Sequence, residues 1–380
     1  MSIAIDFVGT NFASGTKTYN INFCNELNSL KFSKNIKIFI CKNYFSQIYN
    51  KLNKSNKIEY ILKPNFLSIT FFRILWMQFI LPLELKLLGI KKLYSPMNFS
   101  PILTKFFNIK VVLCLHSNLP WIYFNLMPGN AIRNLISKKL MEMSIYSCDT
   151  LIVNSYFAKE EIVKSLNLHK KKIKVVYLGI NRNLLLKKHK SDLVNNFDYN
   201  TKYILSVISC VKYHNIINIL IAYKKLLAEI NFSLKFFLVM QVLDKKYHNQ
   251  VKNFIINNFK TNTVITLVNL ENKELSLLYK NASAYIFSSY CEVFGYTTLE
   301  AMLYKIPVVV SNRSALVEIN SNAALYFDPD QIAQIKNCLK KILLNKIARK
   351  NLIAEGIKNL KRFSLNANVK STIKIIDQLK

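Results

Sequence analysis

Short apolar runs alternate along the chain with longer stretches in which apolar residues recur every three or four positions. A short apolar run bounded by polar residues suits a strand buried on both faces, and the longer spacing suits a helix packed against it. In the first half the runs predict strands over 3–7, 36–40, 92–94, 110–115, 150–154 and 174–177, with helices over 16–29, 71–88, 133–147 and 155–166. The segment 181–202 is polar, rich in Lys and Asn, and weakly periodic. A second series follows, with strands over 203–206, 235–239, 264–267, 284–287 and 307–311 and helices over 216–230, 244–258, 273–281, 297–303 and 329–345. A last helix covers about 367–379. Alternation of this kind marks an α/β protein with parallel sheets. The two series predict two domains, 1–180 and 201–365, with a linker over 181–200 and the helix at about 366–380 packing back on the first. Ligands of such sheets bind at the carboxyl ends of the strands.

Composition agrees with two domains. The chain has 380 residues, against a soft prior of roughly 150 per domain. A hydrophobic content of 51% excludes a disordered chain. Charge changes the picture more: 53 basic residues stand against 21 acidic ones, a formal net charge of +32. Such a surface attracts polyanions, whether nucleic acid, anionic lipid or phosphorylated glycan. Only six of the basic residues are arginine, and the lysines are spread along the chain without aromatic interleaving. Both features point away from nucleic acid and toward a membrane surface or a phosphate ligand. The seven cysteines are odd in number and lack metal-knuckle spacing, so they read as reduced thiols of a cytoplasmic protein. The start MSIAIDFVG has no basic region and reads as no signal peptide. The apolar stretch 66–88 is interrupted by Arg73, Gln78, Pro82, Glu84 and Lys86. It predicts a buried helix, or one lying on a bilayer, rather than a span.

Candidate chemistry concentrates in residues 284–318, AYIFSSYCEVFGYTTLEAMLYKIPVVVSNRSALVE. A strand opens into a loop with one glycine, Gly295, and a helix starts near Thr297. The first turn of a helix leaves backbone N–H groups free, which makes an anion site. Glu292 precedes it in the loop and Glu300 follows on the helix. One carboxylate can then sit beside the anion while the other accepts two neighbouring hydroxyls.

This segment resembles the retaining glycosyltransferases of the glycogen-synthase-like group, also called group 1 or family 4. Their signature has the form S-x-Y-E-G-F-G-x-x-x-L-E-A-M-A-x-G-x-P-V-V-A-S, and this chain reads S-S-Y-C-E-V-F-G-Y-T-T-L-E-A-M-L-Y-K-I-P-V-V-V-S. The resemblance continues through Arg73-Ile-Leu-Trp76-Met-Gln78, Tyr94-Ser95-Pro96, Val111–His116, Val153-Asn154-Ser155 with Lys159, and Val175–Ile180. It implies the GT-B fold, two Rossmann-like doubly wound domains facing across a cleft. The nucleotide sugar would bind the second domain and the acceptor the first, with no metal and no cofactor. Glu300 would accept hydrogen bonds from the donor ribose. Backbone amides around Phe294, Gly295, Tyr296 and Thr297 would hold the distal phosphate or the sugar. Glu292 would stabilise the oxocarbenium charge, with His116 facing the sugar, and Gly15 and Thr16 would lie on the acceptor side.

The chain also departs from the family. Where the second domain usually opens V-G-R-L-x-x-x-K-N, this chain has Val207-Ile208-Ser209-Cys210-Val211-Lys212-Tyr213-His214-Asn215. Ser209 replaces the arginine and His214 the lysine of the diphosphate clamp. A protonated His214, or Lys212 swinging in, would restore it. Asp328 or Asp330 is expected to cap the following helix. The expected protein is a retaining, metal-independent glycosyltransferase that acts on a glycan or lipid-linked acceptor in bacterial surface polysaccharide or lipopolysaccharide assembly. It would lie peripherally on the cytoplasmic face of the membrane. Two alternatives stay open: a catalytically degenerate subunit of the same fold, and a polyanion-binding protein.

Overall fold

The computed structural model describes residues 2–9, 15–30, 35–53, 58–182, 201–270 and 272–379, the side chains of 15–17 and 272 excepted. The expected linker therefore lies outside the described residues, apart from 181 and 182. The chain divides into two units. Unit 1 holds residues 1–118, 132–179 and 365–380, and unit 2 holds 119–131 and 180–364.

Unit 1 is built on β1 (Ile3–Asp6), β2 (Ile36–Cys41), β3 (Ile58–Lys63), β4 (Lys92–Ser95), β5 (Lys110–Leu115), β6 (Thr150–Val153) and β7 (Ile173–Val175). They form one parallel sheet in the order β3-β2-β1-β4-β5-β6-β7. Unit 2 carries β8 (Lys202–Cys210), β9 (Leu234–Val242), β10 (Val264–Val268), β11 (Ala284–Phe287), β12 (Val308–Ser311) and β13 (Ala324–Phe327). Their order is β10-β9-β8-β11-β12-β13, again parallel. Both orders double back from the first strand of the unit, which is the doubly wound arrangement. Central strands β1, β4, β6, β11 and β12 are buried along their whole length. Helices on both faces cover such strands, so their apolar runs need no alternation. The chain is a two-domain α/β protein of the GT-B type.

Edge elements differ from the sequence-based expectation. β3 reads I-E-Y-I-L-K and is only partly buried, with Glu59 paired to Lys37 and Lys63 to Glu84, both at 2.7 Å. Charges suit an edge strand and hide it from a search for apolar runs. The expected helix over 329–345 is Ile332–Leu344, and Asn345 caps a second helix, Lys346–Asn359, through its side chain to the Ala348 amide. Asp328 and Asp330 cap neither helix. The first has Gln331 at its N-cap, with no side-chain hydrogen bond. Asp328 instead binds Arg313 at 3.1 Å and the Asp330 amide at 3.0 Å, and Asp330 accepts from Tyr290 at 2.5 Å. These carboxylates brace the loop before the helix.

The expected helix over 71–88 is in three parts: Thr70–Leu75, a π turn at Trp76–Ile80, and Leu81–Leu87. No helix among the described residues is long and apolar enough to cross a membrane. The last helix, Leu365–Asp377, belongs to unit 1. It buries Val369, Ile373 and Ile376. Asn368 donates to the Tyr177 carbonyl at 2.7 Å, and Lys92 donates to the Asp377 carbonyl at 2.7 Å.

Candidate functional site

In unit 2 the strand order reverses between β8 and β11. Loops leaving the two strands turn to opposite faces there and open a crevice at the carboxyl ends. The loop after β8 carries His214 and the loop after β11 carries Glu292. Their side chains meet, with His214 Nε2 3.0 Å from Glu292 Oε1. The Tyr290 amide ties the two loops to the Tyr213 carbonyl at 2.8 Å. Asn215, in the left-handed region at φ 54°, donates to the Pro329 carbonyl at 2.7 Å.

His214 is buried, and its Nδ1 lies 2.7 Å from the Ser209 carbonyl. A carbonyl only accepts, so Nδ1 carries a proton. Nε2, on the other side of the ring, faces Glu292 Oε1. Ser209 contributes its carbonyl to this contact. Lys212 is exposed in the same turn.

Glu292 is fixed through its backbone as well. Its amide donates to Ser314 Oγ at 2.9 Å, and its carbonyl accepts from the Ala315 amide at 3.2 Å. Gly295 then turns the chain into the helix Tyr296–Leu303 at φ 78°. A Cβ there would stand 2.5 Å from Leu316 Cδ2. Gly295→Ala therefore combines a left-handed backbone with a steric overlap. It is expected to cost about 2–4 kcal/mol, seen as a lower urea midpoint. An unchanged midpoint would mean that this turn is not constrained. Phe294 is buried against the Phe363 ring at 5.4 Å, while Tyr296 and Thr297 are half-buried. No side chain caps the helix, so its first turn keeps the donor character of a helix N-terminus.

Glu300 lies further along this helix. Tyr279 donates to its Oε2 at 3.0 Å, and the Tyr279 ring stacks on Tyr304 at 5.4 Å. Burial pushes the Glu300 carboxyl up to about 7, against the smaller opposing effect of the Tyr279 hydrogen bond.

His116 belongs to unit 1, just beyond β5. Its amide donates to Asn98 Oδ1 at 2.5 Å. Asn154 Nδ2 donates to His116 Nδ1 at 3.0 Å, which leaves the ring proton on Nε2. That Nε2 is buried without a hydrogen bond among the described residues. Burial lowers the His116 pKa to about 4, with the nearby Pro96 carbonyl pulling the other way. The ring is therefore neutral and presents one N–H. Tyr19 packs edge-on against it at 5.3 Å and bonds Tyr94 at 2.8 Å. Gly15 and Thr16 open the helix Gly15–Ser29, whose backbone alone is described at these two positions.

The structure thus brings His214, Ser209 and Glu292 together, and sets Phe294 to Thr297 and Glu300 on the adjoining turn and helix. Sequence reasoning missed Tyr279, Ser314 and Asn154, which hold Glu300, Glu292 and His116. No local spacing signals them, because each reaches its partner across 21 to 38 residues of chain.

Comparison with known proteins fits this geometry. Residues 187–359 match the family of glycosyl transferases group 1, and residues 15–184 match glycosyltransferase family 4. The O-antigen chain mannosyltransferase RfbU of Salmonella typhimurium is 26% identical over 251 residues, covering 63% of this chain and 67% of that protein. The O-antigen chain mannosyltransferase B of Escherichia coli is 34% identical over 92 residues, 24% of either chain. Among solved structures, Anabaena Alr3699/HepE in complex with UDP and glucose superposes with a TM-score of 0.74 at 15% identity, covering 100% of both chains. A glycosyltransferase from Rickettsia africae superposes with a TM-score of 0.74 at 17% identity, over 99% of this chain and 98% of that one.

Proposed function

Since the chain belongs to the family 4, group 1 glycosyltransferases, we propose that it moves a hexose from a nucleoside-diphosphate sugar to a lipid-linked or glycan acceptor, with retention at the anomeric carbon and without a metal. The observation that carries this reading is the pairing of Glu292 with His214 at the strand-order reversal of unit 2, directly before the Gly295 turn and the Glu300 helix. A nucleotide seated there would offer its ribose hydroxyls to Glu300 and its distal phosphate to the amides of Phe294 to Thr297. His214, Lys212 and Ser209 would flank the diphosphate. Glu292 would lie against the ring on which positive charge grows. His116 would offer a neutral N–H to the sugar, and Gly15 and Thr16 would border the acceptor. A diphosphate leaves readily once its charge is matched, so fixed donors and cations supply most of the acceleration.

The two O-antigen relatives support a mannosyl donor and a role in surface polysaccharide assembly. The net charge of +32 supports peripheral attachment to an anionic membrane surface. A thermal screen tests the donor site. UDP, GDP and their sugars are added with EDTA present, and a ligand at about 100 times its dissociation constant should add about 2.7 kcal/mol. If no nucleotide raises the melting temperature, the chain is a degenerate subunit instead.

A further inference from the structure

The helix over 70–87 is apolar on two sides, and only one faces the protein. Trp76, Met77, Leu81 and Leu85 are buried beneath it. Phe72, Leu75, Phe79, Leu83 and Leu87 form a continuous row on the outer side, Phe79 at 59% exposure and Leu87 at 87%. The π turn keeps this row in phase, because the Leu81 amide reaches back to the Trp76 carbonyl and the extra residue sets Phe79 and Ile80 both outward.

A second row stands beside it. In the helix Ala131–Ser147, Asn134, Met141, Ser144 and Ile145 are buried. Ile132, Leu135, Ile136, Met143 and Tyr146 are exposed at helical spacing. Right-handed crossovers that step the same way along a sheet put their helices on one face, and both helices belong to such crossovers. They are fastened to the same short stretch. Gln78 Oε1 accepts from the Ile102 amide at 2.8 Å, and Ser144 Oγ accepts from the Ser100 amide at 3.1 Å. The turn Leu103–Phe107, which follows that stretch, leaves Phe106 84% exposed.

Charge selects what covers this face. From residue 63 to residue 142 there are ten basic residues and two acidic ones. Both acids are engaged, Glu84 by Lys63 at 2.7 Å and Glu142 by Lys139 at 2.9 Å. An apolar surface on a segment with this excess of cations over acids matches anionic headgroups over acyl chains. A second copy would bring the same cations against themselves. We infer that the outer sides of these two helices, together with the exposed Phe106, form a docking face that sinks into the headgroup layer of an anionic bilayer. The inference deepens the proposed function and rests on it for its purpose, since it sets where unit 1 would meet the membrane that carries a lipid-linked acceptor.

The test uses the full chain and vesicles of phosphatidylcholine, with or without about 30% phosphatidylglycerol. Wild type is expected to sediment with the anionic vesicles and to stay partly bound at 1 M salt, where screening shortens electrostatic reach to about 3 Å. Phe79→Ser combined with Leu83→Ser should reduce the bound fraction at least about tenfold, while Ile256→Ser in unit 2 should leave it unchanged. Nucleotide affinity is measured alongside. If it is retained while vesicle binding is lost, the double variant is folded, and the membrane face and the donor site are tested separately. Leu87→Trp guards against a folding defect, because its side chain is already in solvent. Its fluorescence should shift to the blue on anionic vesicles. Equal sedimentation of the double variant, or no shift at Leu87→Trp, overturns the inference. A dimer in solution that Phe79→Ser with Leu83→Ser dissociates also overturns it, by making the face a contact between copies.

Discussion

Glu292→Gln is expected to lower turnover by about 10²–10³ and to leave nucleotide affinity nearly unchanged. The substitution is clean because of how the side chain is held. A glutamine amide can still donate to His214 Nε2, and the loop stays pinned through the backbone contacts to Ser314 and Ala315. Only the charge is lost, and its proposed use comes when the sugar turns cationic. Single-turnover rates with saturating donor, set beside calorimetry with the free nucleotide, read the two quantities apart. A variant that loses nucleotide affinity in proportion to turnover would make Glu292 a ground-state ligand. One that keeps full turnover would remove it from the mechanism.

Glu300→Gln should act in two opposite directions. In the unfolded chain the carboxyl titrates near 4.5, and in the fold burial raises it to about 7. Between these values the folded state binds the proton more tightly, so stability falls as pH rises from about 4.5 to about 7, and stays low above that. At about 1.4 kcal/mol per unit of difference, ionising Glu300 at pH 8 costs the empty protein about 3 kcal/mol. Glu300→Gln removes that cost. The variant should therefore be more stable than wild type at pH 8 and about equal to it at pH 4 in urea unfolding. Its nucleotide affinity should drop, since a charge-assisted hydrogen bond is worth about 1.5–3 kcal/mol. For the same reason wild-type nucleotide affinity should improve as pH rises through about 7. A Glu300→Gln protein with unchanged stability at pH 8 would mean that the carboxylate is already solvated. One with unchanged nucleotide affinity would remove Glu300 from the proposed ribose contact.

Much of this architecture was legible before any coordinates. Val308, Val309 and Val310 announce a central strand because β-branched residues buried on both sides form an apolar run. The spacing of Glu292, Gly295 and Glu300 was legible for a related reason, since loop and helix start sit next to each other in the chain. Edge strand β3 was not, because charge on its exposed positions breaks the run. Tyr279 was not legible either: it reaches Glu300 through helix packing, which leaves no periodic mark. The helix over 70–87 shows a third limit. Its apolar residues occupy both sides, so spacing predicts a helix but cannot say which side is covered. The π turn at Trp76–Ile80 shifts the phase again, and only the fold shows that Phe79 points outward.

The helix Leu365–Asp377 has a consequence for how the protein is made. A ribosome delivers β1 and β4 before unit 2, but the helix that binds Lys92 and Tyr177 emerges only after it. Until then the patch that Val369, Ile373 and Ile376 will bury has no cover. Unit 2 has received all its residues by Ser364, so it can finish folding while unit 1, begun first, still waits for its final piece. Nascent unit 1 is therefore the stretch of this chain with the longest exposure to chaperones and proteases. A stop codon placed just before the last helix would prolong that exposure for the life of the molecule.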